Sequence, residues 1–137
     1  MKLVMILTID SHSGVPVYRQ IMNQIRQQVL TEQLKEGEQI EHVRNLAGRL
    51  KVNPMTVSKA YGYLEMEGIL KRQRGIGLFI AKIEKSEKRR LKMEMLEKSM
   101  KRLVLLAIQM GLEEEEAGDL FLKYYRIYNS REGVLEE

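Results

Sequence analysis

Apolar positions along the chain change their spacing several times, and each change marks an element. Residues 3–9 are apolar and β-branched, which predicts a short strand, and residues 10–16 carry loop chemistry. From Val17 onward Tyr18, Ile21, Ile25 and Val29 recur at helical spacing, which predicts a first helix to about residue 32. Residues 34–38, with Lys35-Glu36-Gly37, read as the turn after it. Val43, Leu46, Ala47 and Leu50 mark a second, short helix, residues 51–53 a tight turn, and residues 54–67 a third helix. In that third helix Val57, Ala60, Tyr61 and Leu64 form the stripe to be buried, which leaves Met55, Thr56, Ser58, Lys59 and Gly62 on exposed faces. Asn53 suits its N-cap, because a short side-chain oxygen can accept from the free N–H groups of the first turn. Pro54 suits the first helical position, where a missing N–H costs nothing. Gly68 supplies the left-handed residue that ends a helix. Two helices joined this closely, the second opening on Asn-Pro, form a helix-turn-helix pattern.

Residues 69–73 and 78–82 are strand candidates on either side of Arg74-Gly75-Ile76-Gly77, a hairpin tip flanked by Lys71 and Arg72. Cations at such a tip suit a wing lying against phosphates. A small helix with threonine, serine and lysine near its start is what a DNA major groove admits. Beyond residue 83 the period changes again. Met93, Leu96, Met100, Leu103, Ala107 and Met110 are spaced 3, 4, 3, 4 and 3, a heptad seam that Leu91, Val104 and Leu106 widen. Gly111 stops this helix. Four carboxylates at 113–116 open a last one, where the helix dipole favours them. Ala117, Leu120, Phe121, Tyr124 and Tyr128 form its apolar stripe. Two amphipathic helices cannot close a core alone, so residues 84–129 read as a helical-hairpin dimerisation tail in which Met93, Leu96, Met100, Leu103, Ala107, Met110, Leu120, Phe121 and Tyr124 meet a second copy. The expected fold is mostly α with a small β-hairpin wing: a winged helix-turn-helix over residues 1–82, including an N-terminal strand or arm, and a two-helix tail over 83–137.

Composition narrows the function. With 137 residues and 44% hydrophobic positions the chain suits one domain with an appendage and a real core. It has no cysteine, which removes disulfides, zinc-thiolate sites and thiol catalysis together. The longest apolar runs, 3–7 and 103–108, fall far short of a membrane span, and the first residues lack a cleavage site, so a cytoplasmic protein is expected. The net charge of +4 hides a polarity. Residues 15–82 hold 11 Lys and Arg against 6 Asp and Glu, residues 83–102 hold 8 against 4, and residues 103–137 hold 3 against 8. A basic body with an acidic end suggests a polyanion-binding module joined to a part that faces away from the polyanion.

The residues also carry a family likeness. Pro16-Val17-Tyr18-Arg19-Gln20-Ile21, Leu34-Lys35-Glu36-Gly37, Val43-Arg44-Asn45-Leu46-Ala47, residues 52–61, Leu64-Glu65-Met66-Glu67-Gly68-Ile69-Leu70 and Arg74-Gly75-Ile76-Gly77-Leu78-Phe79-Ile80 resemble, in order, the DNA-binding domain of GntR-family bacterial transcriptional regulators. The short two-helix tail resembles the YtrA subfamily, which lacks large effector domains. The resemblance implies that Arg44 reaches a guanine edge or phosphate, that Thr56, Ser58 and Lys59 are recognition-helix contacts, and that Gly75 lets the wing approach the DNA. Asn53, Met55, Arg72, Arg74 and Gly77 complete the expected DNA-binding set, and Tyr61 is expected in the core. The chain departs from the family at Ile40-Glu41-His42, where relatives carry Leu-Pro-Ser or a close variant. The proline and serine cap are missing, and Glu41 would repel phosphate if it faced DNA.

Other constellations carry less. His42 could replace the serine as a DNA contact or be a neutral surface histidine, and His12 reads as a loop bystander. Asp10, His12 and His42 have no recognisable metal-ligand spacing, so no metal and no cofactor are expected. Of the nine methionines, those at 93, 100 and 110 lie on the seam, where packing explains them. Lys85, Lys88, Arg89, Arg90 and Lys92 could touch flanking phosphates or simply solvate a first turn. No nucleophile–histidine–carboxylate set or phosphate loop suggests an enzyme. The expected protein is a homodimeric, sequence-specific binder of double-stranded DNA, a repressor acting on a pseudo-palindromic operator. The resemblance adds an adjacent operon, often one for an ABC transporter, and leaves room for a small-molecule effector at the dimer interface. The rival readings are a winged-helix protein-interaction module that does not read DNA and, more weakly, a binder of structured RNA.

Overall fold

The computed structural model describes residues 5–130. Their elements run α1 (Val17–Leu30), α2 (Val43–Leu50), α3 (Pro54–Met66), β1 (Leu70–Gln73), β2 (Gly77–Ile80), α4 (Lys85–Gln109) and α5 (Glu114–Ser130). The chain forms two compact units, Met1–Lys92 and Met93–Glu137.

In the first unit α3 lies against α1, α2 and β1. Its inner stripe of Val57, Ala60, Tyr61 and Leu64 is buried with Ile21, Ile25 and Val29 of α1, Leu46 and Ala47 of α2, and Ile69, Leu70, Leu78 and Ile80 of the hairpin. Each large aliphatic side chain so covered contributes about 1.5–3 kcal/mol. Ile83 and Leu91 pack against the same core, so the first turns of α4 belong to this unit.

The ends of α3 follow from its sequence. The Asn53 side chain accepts from the Met55 N–H at 2.8 Å, and Pro54 occupies the first turn. At the other end Gly68 adopts φ +80°. Its N–H donates to the Glu65 carbonyl at 3.1 Å and that of Ile69 to the Leu64 carbonyl at 2.9 Å, a Schellman closure. The turn from α2 is closed by Lys51 at φ +57°, with the Val52 N–H donating to the Ala47 carbonyl at 3.0 Å. The hairpin pairs Leu70 with Ile80 and Gln73 with Gly77, antiparallel. Residues 37–40 line the other edge of β2: the Ile80 N–H donates to the Glu38 carbonyl at 2.8 Å, and the Ile40 N–H to the Leu78 carbonyl at 3.0 Å.

The strand expected over residues 3–9 is corrected. Leu3 and Val4 lie outside the described residues, and residues 5–9 are extended without a strand partner. The alternation that suggested a strand is real, since Met5 and Leu7 are buried while Ile6 is 82% exposed. The partners, however, are glutamine side chains. Gln24 accepts from the Thr8 N–H at 2.9 Å and donates to the Thr8 carbonyl at 2.7 Å. Gln20 makes the same pair with Asp10, both bonds at 2.8 Å, and Gln28 donates to the Ile6 carbonyl at 2.8 Å. Four residues of helix rise about 6 Å, and two residues of extended chain rise about 6.6 Å. Glutamines at every fourth position of α1 therefore stay in step with every second residue of the segment, and their amides stand in for a neighbouring strand.

The second unit is a helical hairpin. Gly111 at φ +78° closes α4, its N–H donating to the Ile108 carbonyl and that of Leu112 to the Ala107 carbonyl, each at 3.0 Å. Glu114, Glu115 and Glu116 occupy the first turn of α5. No residue of either helix is buried.

The glutamine ladder gives a direct prediction. Gln24→Leu should speed amide exchange at Thr8 about fivefold, the loss of roughly 1 kcal/mol of hydrogen bonding, measured by hydrogen–deuterium exchange. Unchanged exchange at Thr8 would mean that the ladder does not hold the segment.

Candidate nucleic-acid interface

Burial of one stripe of α3 decides what the opposite face presents. Met55, Ser58 and Lys59 are exposed, Met55 at 78%, while Thr56 and Gly62, expected on the exposed faces, are half-buried. The Asn53 amide oxygen is engaged in capping. Arg44 stands exposed in the first turn of α2. On the hairpin Lys71, Arg72, Gln73 and Arg74 are exposed, Gly75 takes φ +78°, and Ile76 sits 55% exposed at the tip. Between the start of α2, α3 and β2 runs a groove lined by His42, Val43, Ser58, Arg72 and Gly77.

Ion pairing sorts these cations. Arg72 is held by Glu65, at 3.1 and 3.3 Å. Arg26 pairs with Glu67, with one bond at 2.7 Å, and so ties α1 to the end of α3. Lys88 pairs with Glu32 at 3.0 Å, and that ammonium holds the Glu32 carboxyl below its ordinary range. Among the described residues Arg44, Lys51, Lys59, Lys71 and Arg74 have no carboxylate partner, and all five lie on α2, the turn, α3 or the hairpin. Lys59 instead sits over the Tyr18 ring, 4.1 Å from its centre.

Glu41, the departure from the family pattern, turns inward. It is 7% exposed, its carboxylate accepts from the Met5 N–H at 3.1 Å and from the Arg49 guanidinium, and Arg49 also donates to the Met5 carbonyl. The hydrogen bond to Glu41 raises the Arg49 pKa above its ordinary value. The Tyr61 hydroxyl donates to the Glu41 backbone carbonyl at 2.9 Å, and burial pushes its pKa well up. Glu41 therefore anchors the N-terminal segment and does not oppose an anion at the surface. His42 takes the N-cap position of α2 without a side-chain capping bond. Nothing local in the sequence marks the Glu41–Arg49–Met5 link, since its ends are far apart in the chain. The Lys59–Tyr18 contact escaped for the same reason.

Gly77 has a packing reason of its own. A Cβ there would lie 2.8 Å from the Gln39 amide nitrogen and 3.1 Å from the His42 ring, and its φ is +145°.

A helix-turn-helix followed by a β-hairpin, with unpaired cations along one side, defines a winged-helix DNA-binding regulator of transcription. Residues 17–80 match the family described as bacterial regulatory proteins, gntR family. The chain is 38% identical over 110 residues to the HTH-type transcriptional repressor YtrA of Bacillus subtilis (strain 168), covering 80% of this chain and 85% of that one. It is similar in structure to a transcriptional antiterminator from Listeria monocytogenes EGD-e, with 35% identity, a TM-score of 0.69 and coverage of 88% and 90%. It is also similar to YtrA from Sulfolobus acidocaldarius, a GntR-family transcription factor, with 31% identity, a TM-score of 0.56 and coverage of 70% and 98%. The chain belongs to the GntR family and is YtrA-like, a DNA-binding transcriptional regulator and not an enzyme.

Replacing Gly77 with alanine should cost about 1–3 kcal/mol through its backbone conformation alone, with more from displacing the Gln39 amide. Thermal unfolding measures this. A variant as stable as the parent would return Gly77 to the surface role that the sequence suggested.

Proposed function

We propose that two copies of this chain repress transcription by binding a pseudo-palindromic operator, each laying α3 in a major groove and its hairpin against the flanking backbone. The observation that carries this reading is the exposed first half of α3 at Met55, Ser58 and Lys59, bordered by Arg44 on α2 and Lys71 and Arg74 on the hairpin, none of these cations having a carboxylate partner among the described residues. Met55, Thr56 and Ser58 sit where base edges are read, and each good contact of this kind discriminates by about 1–3 kcal/mol. Arg44 reaches a guanine edge or a phosphate. Lys59 and Arg74 supply charge, Arg72 reaches the DNA only by giving up its pairing with Glu65, Gly75 brings the tip close to the backbone, and Asn53 and Gly77 hold the reading surface in shape. A twofold arrangement puts half-sites about one helical turn apart.

The division of labour runs between a DNA-binding part over residues 1–82 and a dimerisation part over 83–137. The apolar surface of α4 and α5 supports it. Met93, Leu96, Met100, Leu103, Met110, Leu120, Phe121 and Tyr124 are all exposed, from 41% at Met100 to 68% at Met110, with Ala107 half-buried among them. An apolar patch of this extent marks an association surface. A second copy offers the same seam, and pairing it aligns the heptad positions of both α4 helices. A small-molecule effector would then act at the dimer interface, through different affinities for two dimer states. The regulated genes are an adjacent operon, of the ABC-transporter kind implied by the YtrA likeness, and the setting is the cytoplasm.

A gel shift with the duplex upstream of the protein's own gene, against a scrambled duplex and duplex RNA, tests the DNA reading. The parent should prefer its own duplex, and Arg44→Ala should weaken that binding by about 1–3 kcal/mol. Equal affinity for all three nucleic acids, or a silent Arg44→Ala, would contradict it. Leu103→Glu should convert the dimer to monomer in analytical ultracentrifugation and lower operator affinity with it. A dimer that survives this substitution would place the interface elsewhere.

A further inference from the structure

We propose that Tyr18, Arg19 and Lys59 form a phosphate clasp where α1 meets α3, gripping the DNA backbone on the opposite side of the recognition helix from the hairpin. The inference rests on the DNA-binding reading above, and it makes Lys59, expected as a recognition-helix contact, a contact to the DNA backbone. Three observations carry it. The Lys59 ammonium lies 4.1 Å from the centre of the Tyr18 ring. Tyr18 in turn stacks on Tyr63 of α3, ring centres 5.7 Å apart and planes 30° apart. The Arg19 guanidinium donates to the Tyr18 hydroxyl at 3.4 Å, so a second cation stands beside the first.

The direction of Lys59 decides its target. Met55 and Ser58 point out on the exposed face, whereas Lys59 is drawn sideways onto a ring of another helix. A lysine held over an aromatic face keeps its charge and gains about 0.5–1 kcal/mol at an exposed site. Swinging it back to a base edge would forfeit that contact. Left in place, it is a point charge beside the groove, which suits a phosphate and carries no base information. Arg19 adds its own charge at the same point. Among the described residues neither cation has a carboxylate partner. The Arg19 hydrogen bond, opposed by partial desolvation and helped by the charges of Arg19 and Lys59, holds the Tyr18 phenol below its ordinary pKa, as expected where two cations crowd one hydroxyl. Tyr18 is a positioning residue here, acting through Lys59 and Arg19, and the ring of Tyr63 backs it.

Fluorescence anisotropy on the full chain tests the clasp, with the duplex upstream of its gene and a scrambled duplex of equal composition, each titrated across a salt series. Lys59→Ala and Arg19→Ala should weaken both duplexes alike, by about fivefold to tenfold at 0.1 M salt, and each should lower the salt slope by about one. The preference for the upstream duplex should stay as in the parent. Tyr18→Leu should share part of the loss, and Tyr18→Phe, which keeps the ring, should recover most of it. Circular dichroism checks that the Tyr18 variants fold, and the two exposed-cation variants decide the matter if Tyr18→Leu does not. If Lys59→Ala loses the preference but keeps scrambled-duplex affinity and salt slope, Lys59 reads a base and the clasp is wrong. Parental affinity and slope in Arg19→Ala overturn it as well. A parent with no preference between the duplexes brings down the sequence-reading proposal, whereas a parent with preference and insensitive clasp variants brings down this one alone.

Discussion

Everything in the first unit depends on burying four side chains of one short helix. Val57, Ala60, Tyr61 and Leu64 each lie at 2% exposure or less, and α3 carries them against α1, α2 and the hairpin at once. A helix fixed on three sides cannot rotate about its axis, so the direction of its outer face is fixed by packing. Asn53 and Gly68 set where that face begins and ends. The Tyr61 hydroxyl extends the constraint to the Glu41 carbonyl, and Glu41 passes it through Arg49 to the N-terminal segment. The reading surface is rigid because the core beneath it is shared.

The charges are arranged around that surface by elimination. Glu32, Glu41, Glu65 and Glu67 each take one cation, and their partners are thereby tied to the scaffold. Apart from the part-buried Glu41–Arg49 pair, these exposed pairs contribute only about 0–1 kcal/mol each to stability, so their larger effect is to decide which cations remain available. Those left on α2, the turn, α3 and the hairpin project a net positive field over one side of the unit, and such a field attracts a polyanion at any sequence. The second unit poses the opposite problem, for along its two helices a long apolar stripe stays exposed beside the charged positions, and no residue of either helix is fully buried.

How much of this was legible in the sequence depends on how local the cause was. Asn53-Pro54 and Gly68 act within one helical turn, and α3 was read to within a residue. The hairpin was read from Gly75 and its flanking cations, although Gly77 proved to be placed by Gln39 and His42, contacts from a distant segment. Residues 5–9 showed the alternation of a strand, but their partners are glutamines spaced four apart on α1, a signal visible only once helix and segment are laid side by side. Glu41 looked like a liability at an anion-binding face, and its inward turn depends on Arg49 and on Met5 far upstream. The direction of Lys59 was illegible for a similar reason, because Tyr18 belongs to another helix.

Hydroxyl-radical footprinting of the full chain on the duplex upstream of its gene tests the central claim, that residues 43–80 read operator DNA as one half of a twofold pair. The account predicts two protected half-sites related by a dyad, their centres about one helical turn apart. A single protected site, or uniform protection without boundaries, would contradict it.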